Sequence, residues 1–212
     1  MDKIEQLIPE IRELYLHGRK SHDWDHIQRV YQLCLTLAEG ETVDLTMLRL
    51  AALLHDIARM DEDLQNGNLC HASIGAVKAK QFLKDHGIDK QLIAGVVHCI
   101  ETHRYKNACM PETTEARILY DADKLDAIGA IGLGRAFVYA GEIGARVHHH
   151  EVDIEKTAPY TIEDTAYREF LVKLRHIKDR MLTEKGRQMA LDRHHFMERF
   201  FDRLNREVNG EL

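Results

Sequence analysis

Three prolines and one tryptophan in 212 residues leave little material for a sheet-rich chain of many turns. Leu, Ala, Glu, Lys and Arg, the strong helix formers, are plentiful instead. The four cysteines, Cys34, Cys70, Cys99 and Cys109, form no CxxC pair, which argues against a zinc-ribbon or thioredoxin-type motif and fits reduced thiols in a cytosol. Positive charge is not in excess: the formal net charge is −6, so a nucleic-acid polymer is not an expected partner. No apolar run approaches the ~18 residues of a membrane span, and MDKIEQLIPEIRELYL is amphipathic, unlike the apolar run of a signal peptide. Together these absences predict an all-α, cytoplasmic protein with one hydrophobic core and no membrane partner.

Histidine is what the chain has in abundance: 14, against 13 Phe plus Tyr. Most histidines in any protein decorate the surface, so position has to single out the few that bind metal or move protons. Ile4, Leu7, Ile8, Ile11 and Leu14 predict a first helix closed by Gly18. Asp23 is a candidate N-cap for a second, whose stripe of Ile27, Val30, Cys34 and Leu37 ends at Gly40. From Asp44, LTMLRLAALLHDIARM is apolar nearly all round and predicts a buried third helix that includes His55 and Asp56. A fourth begins beside His71 and closes at Gly87, a fifth carries His98 and ends near His103, and Thr113-Thr114-Glu115 starts another. ARILYDADKLDAIGAIGLGRAF reads as helix, with Gly129, Gly132 and Gly134 permitting close backbone approach. The stretch 141–159, with His148-His149-His150, lacks periodicity and reads as a loop or lid. Thr161 with Asp164 resembles a capping box before a helix faced by Tyr167, Phe170, Leu174, Ile177 and Met181, and Phe196, Phe200, Leu204 and Val208 predict the inward stripe of the last helix, with His194 and His195 at the surface.

Chemistry concentrates where polar groups interrupt apolar faces. His55-Asp56 directly follows AALL, and burying both without partners is costly. Either they end the helix and bond locally, or they hold a cation. His26 lies in line with Val30 and Leu37, and Asp123 follows Leu119 by one turn, so each replaces an apolar residue on an inward face. Each alone is more often a satisfied core histidine or a cap, but the four together are harder to explain blandly.

These residues carry a resemblance to the HD superfamily of metal-dependent phosphohydrolases, whose pattern is a His, a distant His-Asp dyad and a distant Asp. SHDWDHIQRV, AALLHDIA and DADKLDAIGAIGLGR look like the small bacterial HD hydrolases, over roughly residues 15 to 145. The resemblance implies one HD-type helical domain over 1–212, with C-terminal helices of about 161–209 packed on its core. It assigns the metal to His26, His55, Asp56 and Asp123, with Asp121 or Asp126 as an orienting partner. Two imidazoles and two carboxylates suit Mn, Fe, Co, Ni or Zn equally, and such an ion acidifies water and shields phosphate oxygens. The implied reaction is cleavage of a phosphate ester or anhydride of a nucleotide or similar small phosphorylated metabolite.

Expected around that quartet are His98 as proton donor or phosphate contact, Lys124 beside Asp123 as a catalytic and phosphate-binding cation, and Arg29, His71 and His103 as substrate contacts. Arg59 could equally meet phosphate or form a surface ion pair. His98 and His103 are five residues apart, so on one regular helix they diverge by about 140°. Some HD relatives bind two irons with extra histidines between the dyad and the last Asp and oxidise substrates with O₂, and His71 and His98 fall in that interval. A non-catalytic nucleotide-binding module is the third possibility.

Overall fold

In the computed structural model, the residues described are 3–16, 23–64, 70–104, 109–149, 153, 156–159 and 161–212. The expected stop at Gly18 and the third histidine of the loop, His150, lie outside them. Among the described residues there is no strand, and the fold is all-α, as expected. No helix among them is long and apolar enough to cross a membrane. The chain forms two compact units, Met1–Asp123 and Lys124–Leu212.

In the first unit α1 spans Lys3–Glu13, α2 Trp24–Ala38, α3 Leu45–Leu54, α4 Arg59–Leu64, α5 His71–Asp85 and α6 Lys90–Thr102. Asp23, Asp44 and Asp89 cap α2, α3 and α6 by accepting backbone N–H bonds from His26, Met47 and Gln91, which supplies partners to donors a helix start leaves orphaned. The layer is centred on α3, which packs against α1, α2 and α6, while α5 lies on α6 and α4. Leu48, Leu50, Ala51, Ala52, Leu53 and Leu54 are consequently all buried, which accounts for an α3 sequence that is apolar nearly all round. The third helix is shorter than expected. It ends at Leu54, leaving His55 as its C-cap and Asp56 in the turn before α4.

The helix α7, Thr114–Asp126, opens on the expected signal, with Thr113 Oγ1 accepting the Ala116 N–H at 3.1 Å. It does not continue through the glycine-rich stretch. The second unit's α8 begins anew at Gly129, whose φ of +76° suits glycine, and a Cβ on Gly132 would stand 2.3 Å from the Ala127 carbonyl oxygen. Two of the three glycines therefore make the corner between α7 and α8, whereas Gly134 faces open space.

Thr165, not Thr161, caps α9 (Ala166–Val172) by accepting the Arg168 N–H, and Asp164 is instead engaged by the Arg168 guanidinium at 2.7 Å. The face from Phe170 to Met181 is buried as expected, yet a 3-10 segment, Leu174–Arg180, replaces the second half of the helix. Apolar spacings of three and four are satisfied by either geometry. In α10, Glu184–Val208, the buried stripe is Ala190, His194, Met197 and Phe201, about 100° round from the expected Phe196–Val208 stripe. Phe196 and Val208 are exposed, and His194 is buried rather than superficial, its ring stacked on Phe170 and its Nε2 3.2 Å from Glu198. His195 is exposed, as expected.

Candidate metal centre

The dyad owes its place to how α3 ends. The last carbonyls of a helix lack intrahelical donors, and here each finds a different one. Ala52 O takes the His55 Nδ1–H at 2.9 Å, Leu53 O takes the Tyr15 phenol at 2.9 Å, and Leu54 O takes the Ile57 N–H at 3.4 Å. Tyr15 thus clips the end of α3 just before the turn that carries Asp56. His55 and Asp56 are thereby turned out of the helix yet remain buried. With its Nδ1 proton committed to a carbonyl, His55 presents a bare lone pair at Nε2.

Two groups of potential ligands result. In the first, the Nε2 atoms of His26 and His55 are 3.3 Å apart, and Asp123 Oδ1 is 3.6 Å from His26. Asp56 Oδ2 approaches the same pair, at 3.6 Å from His26 and 3.8 Å from His55. In the second group, Asp56 Oδ1 lies 3.0 Å from His71 Nε2 and 3.6 Å from His103 Nε2, and those two nitrogens are 3.1 Å apart. His103, the C-cap of α6, repeats the device of His55: its Nδ1 donates to Ile100 O at 2.6 Å. The ligand atoms of His26, His55 and Asp123, and those of Asp56, His71 and His103, each lie within 4.8 Å of one another, close enough to hold a metal ion. Asp56 thus offers one oxygen to each set.

The donor chemistry fits a divalent transition metal. Converging imidazole lone pairs 3.1–3.3 Å apart repel unless a cation or proton lies between them. Burial pushes His55 down to about 4, with the nearby rings of His103 and His26 adding to that and the carboxylates of Asp56 and Asp123 opposing it. At neutral pH His55 is therefore uncharged, the form that ligates.

Of the other residues the sequence singled out, His71 and His103 are drawn to Asp56, a position as suited to a second ion as to a substrate phosphate. His98 is not brought there: its ring is half-buried and its Nε2 accepts the Glu112 N–H at 3.2 Å. The divergence of about 140° from His103 on α6 is the reason, because His103 already occupies the face toward Asp56. Arg29, one turn beyond His26 on α2, and Lys124, next to Asp123 on α7, are partly exposed. Arg59 turns to Glu62, at 3.3 Å. Asp121 is fully buried, and Asp126 is held by Arg135 at 2.7 Å. His148 and His149 bond to Asn205 and Glu163 within the second unit. Three residues of the centre carried no sequence signal. Tyr15 reads as one more residue after an amphipathic helix, Glu62 is one acid among Asp61, Glu62 and Asp63, and Arg104 directly follows the His103 that ends the α6 pattern.

Residues 23–128 match the family described as HD domain. The Bacillus subtilis protein YpgQ is 31% identical over 214 aligned residues, covering 99% of this chain and 96% of YpgQ. A crystal structure of an HD-superfamily hydrolase from Bacillus thuringiensis has a TM-score of 0.76 at 29% identity, covering 98% of this chain and 97% of that one. The structure of Bacillus subtilis YpgQ in complex with ADP has a TM-score of 0.72 at 29% identity, with coverages of 97% and 93%.

Proposed function

Since the chain belongs to the HD domain family, we propose that its two ligand groups form the metal centre of a phosphohydrolase acting on a nucleotide or a similar small phosphorylated metabolite. The observation that carries this reading is Asp56, one carboxylate serving two sets of imidazoles. His26, His55, Asp56 and Asp123 hold one divalent ion, and Asp56, His71 and His103 are composed to hold another. A bound divalent ion supplies acidification of water and neutralisation of phosphate charge. The protein's own part is to orient the imidazoles of His55 and His103, through the carbonyls of Ala52 and Ile100, and to keep Asp56 in a buried turn. Arg29 and Lys124 sit beside ligands in the chain and supply cations for phosphate oxygens. The nucleotide preference draws on the ADP complex of YpgQ, a relative alike over nearly the whole chain.

The test is release of phosphate or pyrophosphate from ADP, nucleoside triphosphates and a panel of sugar phosphates, with Mn²⁺ or Co²⁺ added. Turnover should stop with chelator and in Asp123→Ala. A protein that carries bound metal yet releases neither product from any of these substrates would contradict the proposal. The second ligand group also favours one rival, a di-iron oxygenase. Substrate-dependent O₂ consumption by iron-loaded protein, without hydrolysis, would decide for it.

A further inference from the structure

His55 and His103 close helices and reach back to a carbonyl three residues earlier, a group that a helix C-terminus leaves available. His71 opens a helix. The first turn of α5 exposes N–H groups rather than carbonyls, so its own helix offers the ring no acceptor for an Nδ1 proton. The acceptor is a side chain. Glu62 Oε2 makes a short contact with His71 Nδ1, and Glu62 is itself buried on α4.

A buried carboxylate is costly unless charge and hydrogen bonds compensate it. Arg104 Nη1 lies 2.6 Å from Oε1, and Arg59 Nη1 lies 3.3 Å from Oε2. An ionised carboxylate only accepts, so the short contact requires the proton on His71 Nδ1. The two guanidinium groups also come within 3.2–3.3 Å of Nδ1, but they too are donors only and have Glu62 to donate to. A ring with its proton on Nδ1 aims a lone pair from Nε2 at the space beside Asp56 Oδ1 and His103 Nε2.

We propose that Glu62, clamped by Arg104 and Arg59, is the positioning residue that fixes the His71 tautomer and so completes the ion site made with Asp56 and His103. The proposal rests on reading that trio as an ion site. Carboxylate partners of ligating histidines change metal affinity by about 10–100-fold when they are removed. Glu62 acts on one ligand group alone, since His71 belongs to the set with Asp56 and His103, while His55 of the other set is fixed by a backbone carbonyl.

Zn²⁺ titration calorimetry on the full chain, with long-range ¹H–¹⁵N spectra of the histidine rings, tests this without reference to turnover. The parent protein should bind two Zn²⁺, with His71 as the single Nδ1–H tautomer. In Glu62→Gln, whose one amide oxygen cannot serve both His71 and Arg104, one Zn²⁺ affinity should fall about 10–100-fold while the other holds, and the His71 signals should become those of mixed tautomers. Arg104→Met, which leaves Glu62 in place, should weaken the same ion by a smaller factor, and it decides the matter should Glu62→Gln not fold. Two unchanged affinities in whichever variant folds, with His71 unaltered, would overturn the role of Glu62 and leave the two-ion site standing. One Zn²⁺ per chain in the parent would overturn the two-ion reading and the proposal with it.

Discussion

Replacing Tyr15 by Phe isolates the hydroxyl that clips the end of α3 just ahead of the Asp56 turn. The ring, which packs against Trp24 at 6.0 Å, keeps its shape, so cavity formation does not enter. Burial holds the Tyr15 phenol well above its ordinary range, and the Asp56 carboxylate adds to that, so the O–H is present as a donor throughout the accessible pH range. Without it the Leu53 carbonyl loses its partner at a buried helix end. Stranding a buried polar group costs about 1–3 kcal/mol. For a chain of this size each kcal/mol lowers Tm by about 2–4 °C, so the metal-free variant should melt roughly 2–12 °C lower. A second effect separates a local from a merely global loss. An ion at about 100 times its Kd stabilises by about 2.7 kcal/mol, and a loosened Asp56 weakens binding, so the Tm increment on adding Mn²⁺ should shrink as well. Scanning calorimetry with EDTA and then with Mn²⁺ measures both. A variant within ~1 °C of the parent in both states would refute the clip.

Metal-free protein should lose stability as pH falls from about 6.5 towards 4. His55 binds its proton near 4 when folded and near 6.5 when unfolded, so the unfolded state takes up more protons across that window. The contribution is at most about 3.4 kcal/mol, and the gap between the urea midpoints of parent and His55→Asn in EDTA should be constant above about pH 6.5 and shrink as pH falls towards 4, whereas curves parallel throughout would show that His55 does not titrate this way. Gly132→Ala should cost about 1–3 kcal/mol because its Cβ meets the Ala127 carbonyl, while Gly134→Ala, facing open space, should be neutral or gain up to about 1 kcal/mol; thermal melts showing the reverse order would contradict the α7–α8 corner. His98→Ala should keep its full metal content by elemental analysis and lose about 1 kcal/mol with the Glu112 contact; loss of an ion would return His98 to the centre.

The fold class and most helix starts were legible because their causes are local. Asp23 and Asp44 lie where a cap is needed, and the apolar periods of α1, α2, α5 and α6 follow directly from the packing of those helices. What misled was continuity. Apolar spacing runs unbroken from Leu45 to Met60 and from Ala116 to Phe137, yet both stretches break, one where Tyr15 takes a carbonyl from 38 residues away and one where Gly129 turns the chain. In α10 the large aromatics suggested the inward face, but Ala190 and Met197 are the better fit to it and Phe196 is left outside. At the centre, the anomalous His26, His55, Asp56 and Asp123 stood out against apolar surroundings. Glu62, Arg104 and Tyr15 did not, because a supporting acid in an acidic run, or a tyrosine after a helix, differs from its neighbours only through partners distant in the chain.

That the ligands are scattered from His26 to Asp123, on α2, after α3, at the start of α5, at the end of α6 and on α7, bears on kinetics. Loop closure over such separations is slow, and the group of His26, His55 and Asp123 is complete only once residues from α2, the end of α3 and α7 have met. An ion can be gripped by that group only after α7 has docked, late on the folding route. It therefore acts on the far side of the barrier: chelation should speed unfolding by nearly the full loss in stability while leaving the refolding rate almost untouched.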